Sequence, residues 1–169
     1  MPKSLSTTDY ETFFAIKTLL SGIAERSTKE QLTGDTIHRH GRLIGTLVFE
    51  MSTVYSGYTS KAALLAKKAD PDFKPTAEHM NPRQVSGNKI VNAVIEDGAV
   101  HDEKLMSMLN VARRVNRVTS AENRALMPFQ KVHKFVDAET AYAAASIELY
   151  QWPNYKRITK LKETYPEIC

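Results

Sequence analysis

The chain has 169 residues, a length that predicts one folded domain with a buried core. Its composition, 42% hydrophobic and 25% charged, is ordinary for a globular protein, and its net charge of +4 favours acidic partners. No apolar run approaches the ~20 residues that span a bilayer, and the polar first residues lack the apolar core of a signal peptide. A single cysteine, Cys169, excludes an internal disulfide framework and a cysteine-rich zinc site. We therefore expect a cytoplasmic protein of one domain over residues 1–169 that does not enter membranes.

The hydrophobic periodicity of the first part of the chain is helical. A capping box over Thr8–Glu11, followed by an apolar stripe, predicts the first helix. Asp35 is the expected N-cap of a long second helix that ends near Gly57. A shorter helix is expected over 60–69, and the proline-bounded residues 70–75 predict a loop.

The second part of the chain is also expected to be largely helical. Asn81 as N-cap and Pro82 at the first helical position predict a helix that stops at Gly98, and another is expected to begin at Asp102. The remaining elements expected are a short extended piece over 115–118, a helix over 119–127, an alanine-rich helix over 137–146 and a basic tail over 154–169. The predicted fold class is mainly α, a single compact helical domain of about six helices with one short extended segment.

A basic stretch from Lys104 to Lys134 contains seven Lys and Arg residues and one acid, Glu122, which gives it a net charge of +6. Ordinary surfaces mix the two signs, so this stretch predicts a surface that binds phosphates with salt-dependent affinity. The residues expected to bind nucleic acid are Arg83, Arg113, Arg114, Arg117, Arg124, Lys131 and Lys134. The first arginines, Arg113, Arg114 and Arg117, are expected on the solvent side of the helix that begins at Asp102. Aromatic residues that would stack on bases are Tyr142, Tyr150, Trp152 and Tyr155, although Trp152 would equally anchor the tail to the core.

The segment Thr76–Arg83, with the sequence Thr-Ala-Glu-His-Met-Asn-Pro-Arg, places a carboxylate beside a histidine. In phosphodiester hydrolysis a histidine acts as the base, while a metal ion held by carboxylates stabilises the developing charge. Neighbours on an extended segment point to opposite sides, so Glu78 and His79 would have different tasks. The alternative is a loop in which Glu78 is solvated and His79 bonds to a backbone carbonyl.

This segment resembles the first motif of HNH-type (His-Me finger) endonucleases. It also resembles a loosely defined set of small phage and bacterial proteins with Thr-x-Glu-His-x-x-Pro-Arg and a later Thr-x-x-Glu-Asn-x-x-Leu, which is matched here by residues 119–126. The resemblance implies that His79 is the general base and that Glu78 binds a metal or orients a partner. The chain departs from the endonucleases because it passes directly from His79 into a Pro-initiated helix, so a catalytic centre would be assembled differently.

A divalent ion, Mg²⁺ or Mn²⁺, is expected to be held by Glu78 with Asp102 or Glu122. Each of the last two also fits a structural reading, since Thr119-x-x-Glu122 is the pattern of a capping box and Asp102 favours a helix start.

The function predicted from these features is nucleic-acid binding, with cleavage of phosphodiester bonds as a phage-type metal-dependent endonuclease. An alternative is a non-catalytic phage accessory, anti-defence or regulatory protein that binds nucleic acid or an acidic host protein. A third is a structural or assembly subunit that forms homo-oligomers. The sequence does not distinguish DNA from RNA as the partner.

Overall fold

The computed structural model describes residues 6–131 and 133–152. Its helices and strands are, in chain order, α1 (Thr7–Ser27), α2 (Gly34–Glu50), β1 (Val54–Ser60), α3 (Lys61–Ala69), β2 (Thr76–His79), α4 (Arg83–Asp97), α5 (Asp102–Ala112), β3 (Arg114–Val118), α6 (Ser120–Leu126), α7 (Ala138–Ala144) and β4 (Leu149–Gln151). The basic tail predicted over 154–169, with Tyr155, lies outside the described residues. Among the described residues, no helix has both the length and the apolar character needed to cross a bilayer.

Packing within the chain divides it into two units. The helical unit takes its described residues from Met1–Thr53 and Asn81–Arg113, and the sheet unit takes its described residues from Val54–Met80 and Arg114–Cys169. Each unit is built from two separate stretches, because the chain leaves the helical unit after α2 and returns to it for α4 and α5. One domain over residues 1–169 stays a prediction.

The prediction of a mainly α, all-helical domain is wrong. The described residues hold seven helices and a four-stranded mixed sheet, which makes the fold α/β. The largest error is β1, which the helical periodicity assigns to the end of the second helix. Helix α2 ends at Glu50, and Met51 already has extended backbone. Gly57 has a φ of 94° where the register of β1 with β3 shifts, so it forms a bulge in a stretch, 54–60, that is rich in strand-forming residues.

The helix ends agree with the prediction only in part. As predicted, Gly98 ends α4 in the left-handed conformation, and a capping box of Thr119 and Glu122 begins α6. The helix predicted over 137–146 is α7, which Asp137 caps and which ends at Ala144. The extended piece predicted over 115–118 is β3. Three N-caps differ by one or two residues: Ser6 caps α1 in place of Thr8, Thr33 caps α2 in place of Asp35, and Pro82 precedes α4 in place of Asn81. In the first two cases a hydroxyl upstream accepts a backbone N–H of the first turn, which is the ordinary role of an N-cap.

The helical unit packs α1, α2, α4 and α5 around one apolar core. Its fully buried side chains include Ile16, Leu20, Ile44, Val48, Ile90, Val91 and Leu109. A buried ion pair ties the start of α1 to the end of α5, because Arg113 Nη1 lies 3.4 Å from Asp9 Oδ2. Burial alone would raise the pKa of Asp9, but hydrogen bonds from Ser52 and Ser6 and the charge of Arg113 together lower it.

Helices α2 and α4 meet backbone to backbone because glycines face each other at their interface. A methyl group added at Gly87 would lie 1.8 Å from the carbonyl oxygen of Gly41. One added at Gly45 would lie 2.3 Å from the carbonyl oxygen of Arg83. A packed backbone cannot move aside as the end of a side chain can, so either methyl group would force the helices apart.

The sheet unit is built on four strands in the order β2-β3-β1-β4. Strands β1 and β3 are parallel, whereas β2 and β4 run antiparallel to their neighbours β3 and β1. One face of the sheet carries Val118, which packs with Leu126 of α6 and with Tyr142 and Ile147 from α7 and the residues that follow it. We call the face that carries Val118 the α7 face.

Substitution of Gly87 tests the close packing of α2 and α4. Gly87→Ala should lower the free energy of unfolding by about 2–3 kcal/mol, because the added methyl group separates two packed backbones. Urea unfolding followed by the circular dichroism of the helices measures the change.

Gly22→Ala in α1 is the matched control, since a methyl group added there meets nothing within 4 Å. It should raise the free energy of unfolding by about 0.5–1 kcal/mol, because alanine is the better helix former. Equal effects of the two substitutions would contradict the backbone contact.

Candidate functional site

The pairing of β2 with β3 determines which side chains share a face of the sheet. Glu78 lies opposite Asn116, and His79 lies opposite Val115. Opposed residues of an antiparallel pair point to the same face, and successive residues point to opposite faces. Asn116 is two residues from Val118, so Glu78 and Asn116 lie on the α7 face and His79 lies on the other face. The expected separation of Glu78 from His79 is confirmed.

Glu78 is a buried carboxyl group, with only 3% of the residue exposed. Its Oε1 accepts a hydrogen bond from the side-chain amide of Gln130, and its Oε2 has no partner among the described residues. Burial raises the pKa of Glu78 to about 7, although the bond from Gln130 acts in the opposite direction. Near neutral pH the group therefore exists in both protonation states.

Asn116 is fully buried beside Glu78. Its Oδ1 accepts a hydrogen bond from the hydroxyl of Ser56, and the same hydroxyl oxygen accepts the backbone N–H of Tyr58 at 3.1 Å. The Nδ2 group of Asn116 has no partner in the described part of the chain. An unpaired buried donor costs about 1–3 kcal/mol, so this amide has a hydrogen bond to gain from a ligand.

A cleft of about 580 Å³ lies over this part of the α7 face. Its lining residues are Tyr58, Met80, Asn116, Ala138, Glu139, Tyr142, Ala143, Ile147 and Leu149. The hydroxyl of Tyr142 is a second buried polar group that has no partner within the described ranges. Tyr58, which is 42% exposed, and the exposed Glu139 form the solvent side of the cleft, whereas the buried Asn116 and Tyr142 form its inner wall.

Access of a ligand to the inner wall requires side chains that line the cleft to move. Both unpaired polar atoms are shielded from solvent, and Met80 lines the same cleft. An unbranched thioether side chain changes its rotamer at little cost. We therefore expect a ligand to displace the side chain of Met80 as it reaches Asn116 and Tyr142.

Arg114 is the exposed cation of β3 that lies on the same face of the sheet as Asn116. It precedes Asn116 by two residues on β3, so its side chain belongs to the α7 face, about 7 Å further along the strand. Its carbonyl oxygen accepts the backbone N–H of Met80 at 3.1 Å, which places Arg114 beside a residue that lines the cleft. The side chain is exposed, and none of the ion pairs formed by the described residues includes it.

The predicted helical surface of Arg113, Arg114 and Arg117 is wrong, because α5 ends at Ala112 and β3 follows. Arg113 is buried in the helical unit, where it pairs with Asp9 and bonds to Asn110. Strand alternation separates the other two, with Arg117 on the opposite face and over the ring of Tyr55 at 5.9 Å from its centre. The other cations predicted to bind nucleic acid, Arg83, Arg124, Lys131 and Lys134, are all exposed.

Two of the three carboxylates predicted to bind a metal ion, Asp102 and Glu122, are engaged by protein groups. Asp102, in the helical unit, pairs with Lys17 at 2.8 Å. Glu122 completes the capping box of α6, as the structural reading predicts, and accepts a hydrogen bond from Ser60 at 2.6 Å. Within residues 6–131 and 133–152, no three His, Cys, Asp or Glu side chains are grouped so that they could hold a metal ion. A Mg²⁺ or Mn²⁺ site stays a prediction.

Comparisons with protein-family models, with curated proteins and with solved structures found no match to this chain. The resemblance to His-Me finger endonucleases and to the small phage and bacterial proteins therefore stays a prediction. The geometry of the cleft is the basis for the function proposed below.

Sequence reasoning missed several residues of the cleft. Asn116 follows Val115 in the extended piece that was expected over 115–118, and a neutral polar residue within a buried strand is the signal that points to it. Gln130 and Ser56 act through hydrogen bonds that join residues far apart in the chain, and no local pattern indicates them. Tyr142 was expected near bases, and the structure places it in the inner wall of the cleft.

The pH dependence of stability tests the burial of Glu78. Its pKa is about 7 in the folded protein and 4.5 as its ordinary value, so between these values the folded state holds a proton that the unfolded state has lost. The stabilising contribution of this group is fully present below pH 4.5 and is lost as the pH rises through about 7. The loss is on the order of 3 kcal/mol. Glu78→Gln should remove this part of the pH dependence.

Urea unfolding at several pH values, followed by the fluorescence of Trp152, measures this effect in the sheet unit, because Trp152 is the single tryptophan of the chain. Glu11→Gln, at an exposed carboxylate of α1, should leave the wild-type dependence unchanged. An unchanged dependence in Glu78→Gln would show that this carboxyl does not carry the shift.

Proposed function

We propose that the protein binds single-stranded nucleic acid through its sheet unit, with one base held in the cleft and the adjoining phosphates near Arg114. One observation carries the proposal: a cleft of about 580 Å³ with two unpaired polar groups in its inner wall lies on the same sheet face as an exposed arginine outside any ion pair of the described residues.

The walls of the cleft match the two kinds of surface that a base presents. A nucleobase is apolar on its flat faces and carries hydrogen-bonding groups along its edge. Tyr58, Ile147 and Leu149 supply apolar and aromatic surface, and Asn116 and Tyr142 supply the polar groups. Pockets for small ligands commonly measure ~300–1,000 Å³, so the cleft is large enough for a nucleotide.

Entry into the cleft favours single strands over duplexes. The bases of a single strand can be turned out of the stack and placed on aromatic side chains, whereas those of a duplex are paired. Tyr58 is the exposed ring available for such stacking. The position of Tyr58 at the solvent side of the cleft suits a base that is turned out of a single nucleic-acid strand.

Phosphate binding is the expected task of the exposed cations of the sheet unit. A guanidinium group binds a phosphate through two parallel hydrogen bonds, and Arg114 lies beside the cleft. Lys131 and Lys134 are exposed in the segment that leads from α6 to α7, and α7 forms one wall of the cleft. These residues would bind the phosphates that flank the bound base in the nucleic-acid strand.

Cleavage of the strand is a separate prediction. His79 and Glu78 face opposite sides of the sheet, so they do not act together on one phosphodiester bond. The geometry therefore supports binding without cleavage as the main function. A cytoplasmic location is part of the proposal, because nucleic acid is the partner. A homo-oligomer or an acidic host protein is the alternative to be considered if nucleic acid does not bind.

Arg114→Ala should weaken binding of labelled single-stranded RNA or DNA by about five- to tenfold and should lower the slope of log affinity against log salt by about 1. Fluorescence anisotropy over a range of salt concentrations measures both quantities. The matched control is Arg42→Ala on α2, which removes the same charge from an exposed arginine that is outside the ion pairs of the described residues. It should change the affinity by less than about twofold.

Equal losses in the two variants would show that only net charge matters, and the proposal would fail. Absence of binding by the wild-type protein would also end it. The same samples, incubated with Mg²⁺ or Mn²⁺ and with EDTA, test cleavage, and His79→Ala is the variant that a catalytic role of His79 requires to be inactive.

A further inference from the structure

The hydrogen bonds behind Asn116 determine what its side chain can offer to a ligand. The backbone N–H of Tyr58 donates to Ser56 Oγ, and the hydroxyl of Ser56 donates to Asn116 Oδ1. The amide oxygen of Asn116 therefore already has a partner, Ser56, whereas its NH₂ group has none in the described part of the chain. An asparagine can turn either its oxygen or its NH₂ group towards a ligand, but here the bond from Ser56 holds the oxygen, and the NH₂ group is the part without a partner among the described residues.

We propose that this oriented amide, with its NH₂ group free to donate, makes the cleft select uracil or thymine over cytosine. The inference rests on the proposed binding of single strands, and it adds the identity of the preferred base. Asn116 becomes the residue that determines specificity, and Ser56 becomes a positioning residue that fixes the orientation of the amide.

The two pyrimidines differ where the amide would meet them. Position 4 of uracil carries a keto oxygen, which accepts a hydrogen bond, whereas position 4 of cytosine carries an amino group, which donates one. The NH₂ group of Asn116 can donate to the keto oxygen of uracil, but it meets another donor in the amino group of cytosine. A donor opposite a donor leaves both groups without a partner in a site closed to water.

Neither Tyr142 nor Tyr58 distinguishes these bases, and Glu139 lies at the solvent side of the cleft. The hydroxyl of Tyr142 either donates or accepts, so it can pair with the N3–H of uracil or with the bare N3 of cytosine. Stacking on Tyr58 is similar for two pyrimidines, and the sugar and phosphate are identical. The preference is therefore expected to depend on Asn116 and on the bond that orients it.

The test compares single-stranded oligouridine and oligocytidine of equal length, at a pH above neutrality where cytosine is uncharged. The wild-type protein should bind oligouridine about tenfold more tightly, which is the difference expected for one matched hydrogen bond in a buried site. The ratio of the two affinities is the quantity to measure, because a general loss of phosphate binding changes both affinities together.

Two variants separate this selection from a merely structural role. Asn116→Asp replaces the donor by an acceptor and should reverse the preference in favour of oligocytidine. Ser56→Ala frees Asn116 Oδ1 so that the amide can turn, and the ratio should fall to within about twofold while binding persists. The fluorescence of Trp152 reports whether the sheet unit of each variant is folded. If the buried aspartate of Asn116→Asp prevents folding, the affinity ratio of Ser56→Ala alone tests the role of the oriented amide.

Each outcome bears on a definite claim. Equal binding of both oligonucleotides by the wild-type protein overturns the base selection and leaves the proposed binding intact. A preference for oligouridine that survives in Ser56→Ala overturns the role of the oriented amide. Absence of binding to either oligonucleotide overturns the proposed function itself.

Discussion

The opposition of Glu78 and Asn116 across β2 and β3 is the constraint on which the candidate site depends. Two polar side chains are held side by side on the buried face of a sheet, where water cannot satisfy them. Protein groups satisfy them only in part, since Gln130 bonds to one oxygen of Glu78 and Ser56 bonds to the oxygen of Asn116. Apolar residues at the same positions would pack without this cost. The incomplete satisfaction is what distinguishes a site for a ligand from an ordinary core.

The position of the cleft follows from the same strand pairing. Because Arg114 precedes Asn116 by two residues on β3, it lies on the same face of the sheet as Asn116 and Glu78. The backbone bond from Met80 to Arg114 holds the end of β2 against that strand. A short segment of sheet thus brings together the buried amide of Asn116, the side chain of Met80 in the lining of the same cleft and the exposed Arg114.

The sequence predicts individual helices better than it predicts the sheet. Caps are local signals, so Gly98 and the capping box of α6 are correctly predicted. Strands β2 and β4 have four and three residues, which is too few for an alternating pattern to be recognised. Strand β1 follows a helical stripe without a proline, so its boundary with α2 has no strong local mark. The predicted fold class is wrong because these strands were not recognised, although most helices are correctly placed.

Charge in the sequence is a poor guide to charge on a surface. Arg113 belongs to the basic stretch, yet it is buried against Asp9, and Arg117 lies on the face of the sheet opposite to Arg114. The side-chain bonds that define the cleft join residues up to 60 positions apart, as between Ser56 and Asn116. Such contacts arise only from the tertiary fold. The motif pairs Glu78 with His79 in sequence, but the residue opposite Glu78 on the neighbouring strand is Asn116.

The central claim is that the amide of Asn116 contacts a base. The most direct measurement is a nuclear magnetic resonance titration of the isotope-labelled protein with a short single-stranded oligouridine, following the side-chain NH₂ signals of Asn116. The account predicts a large shift of these signals on binding, together with shifts of Tyr58, Met80 and Tyr142. Binding that shifts the signals of the exposed cations while the NH₂ signals of Asn116 stay unchanged would contradict it.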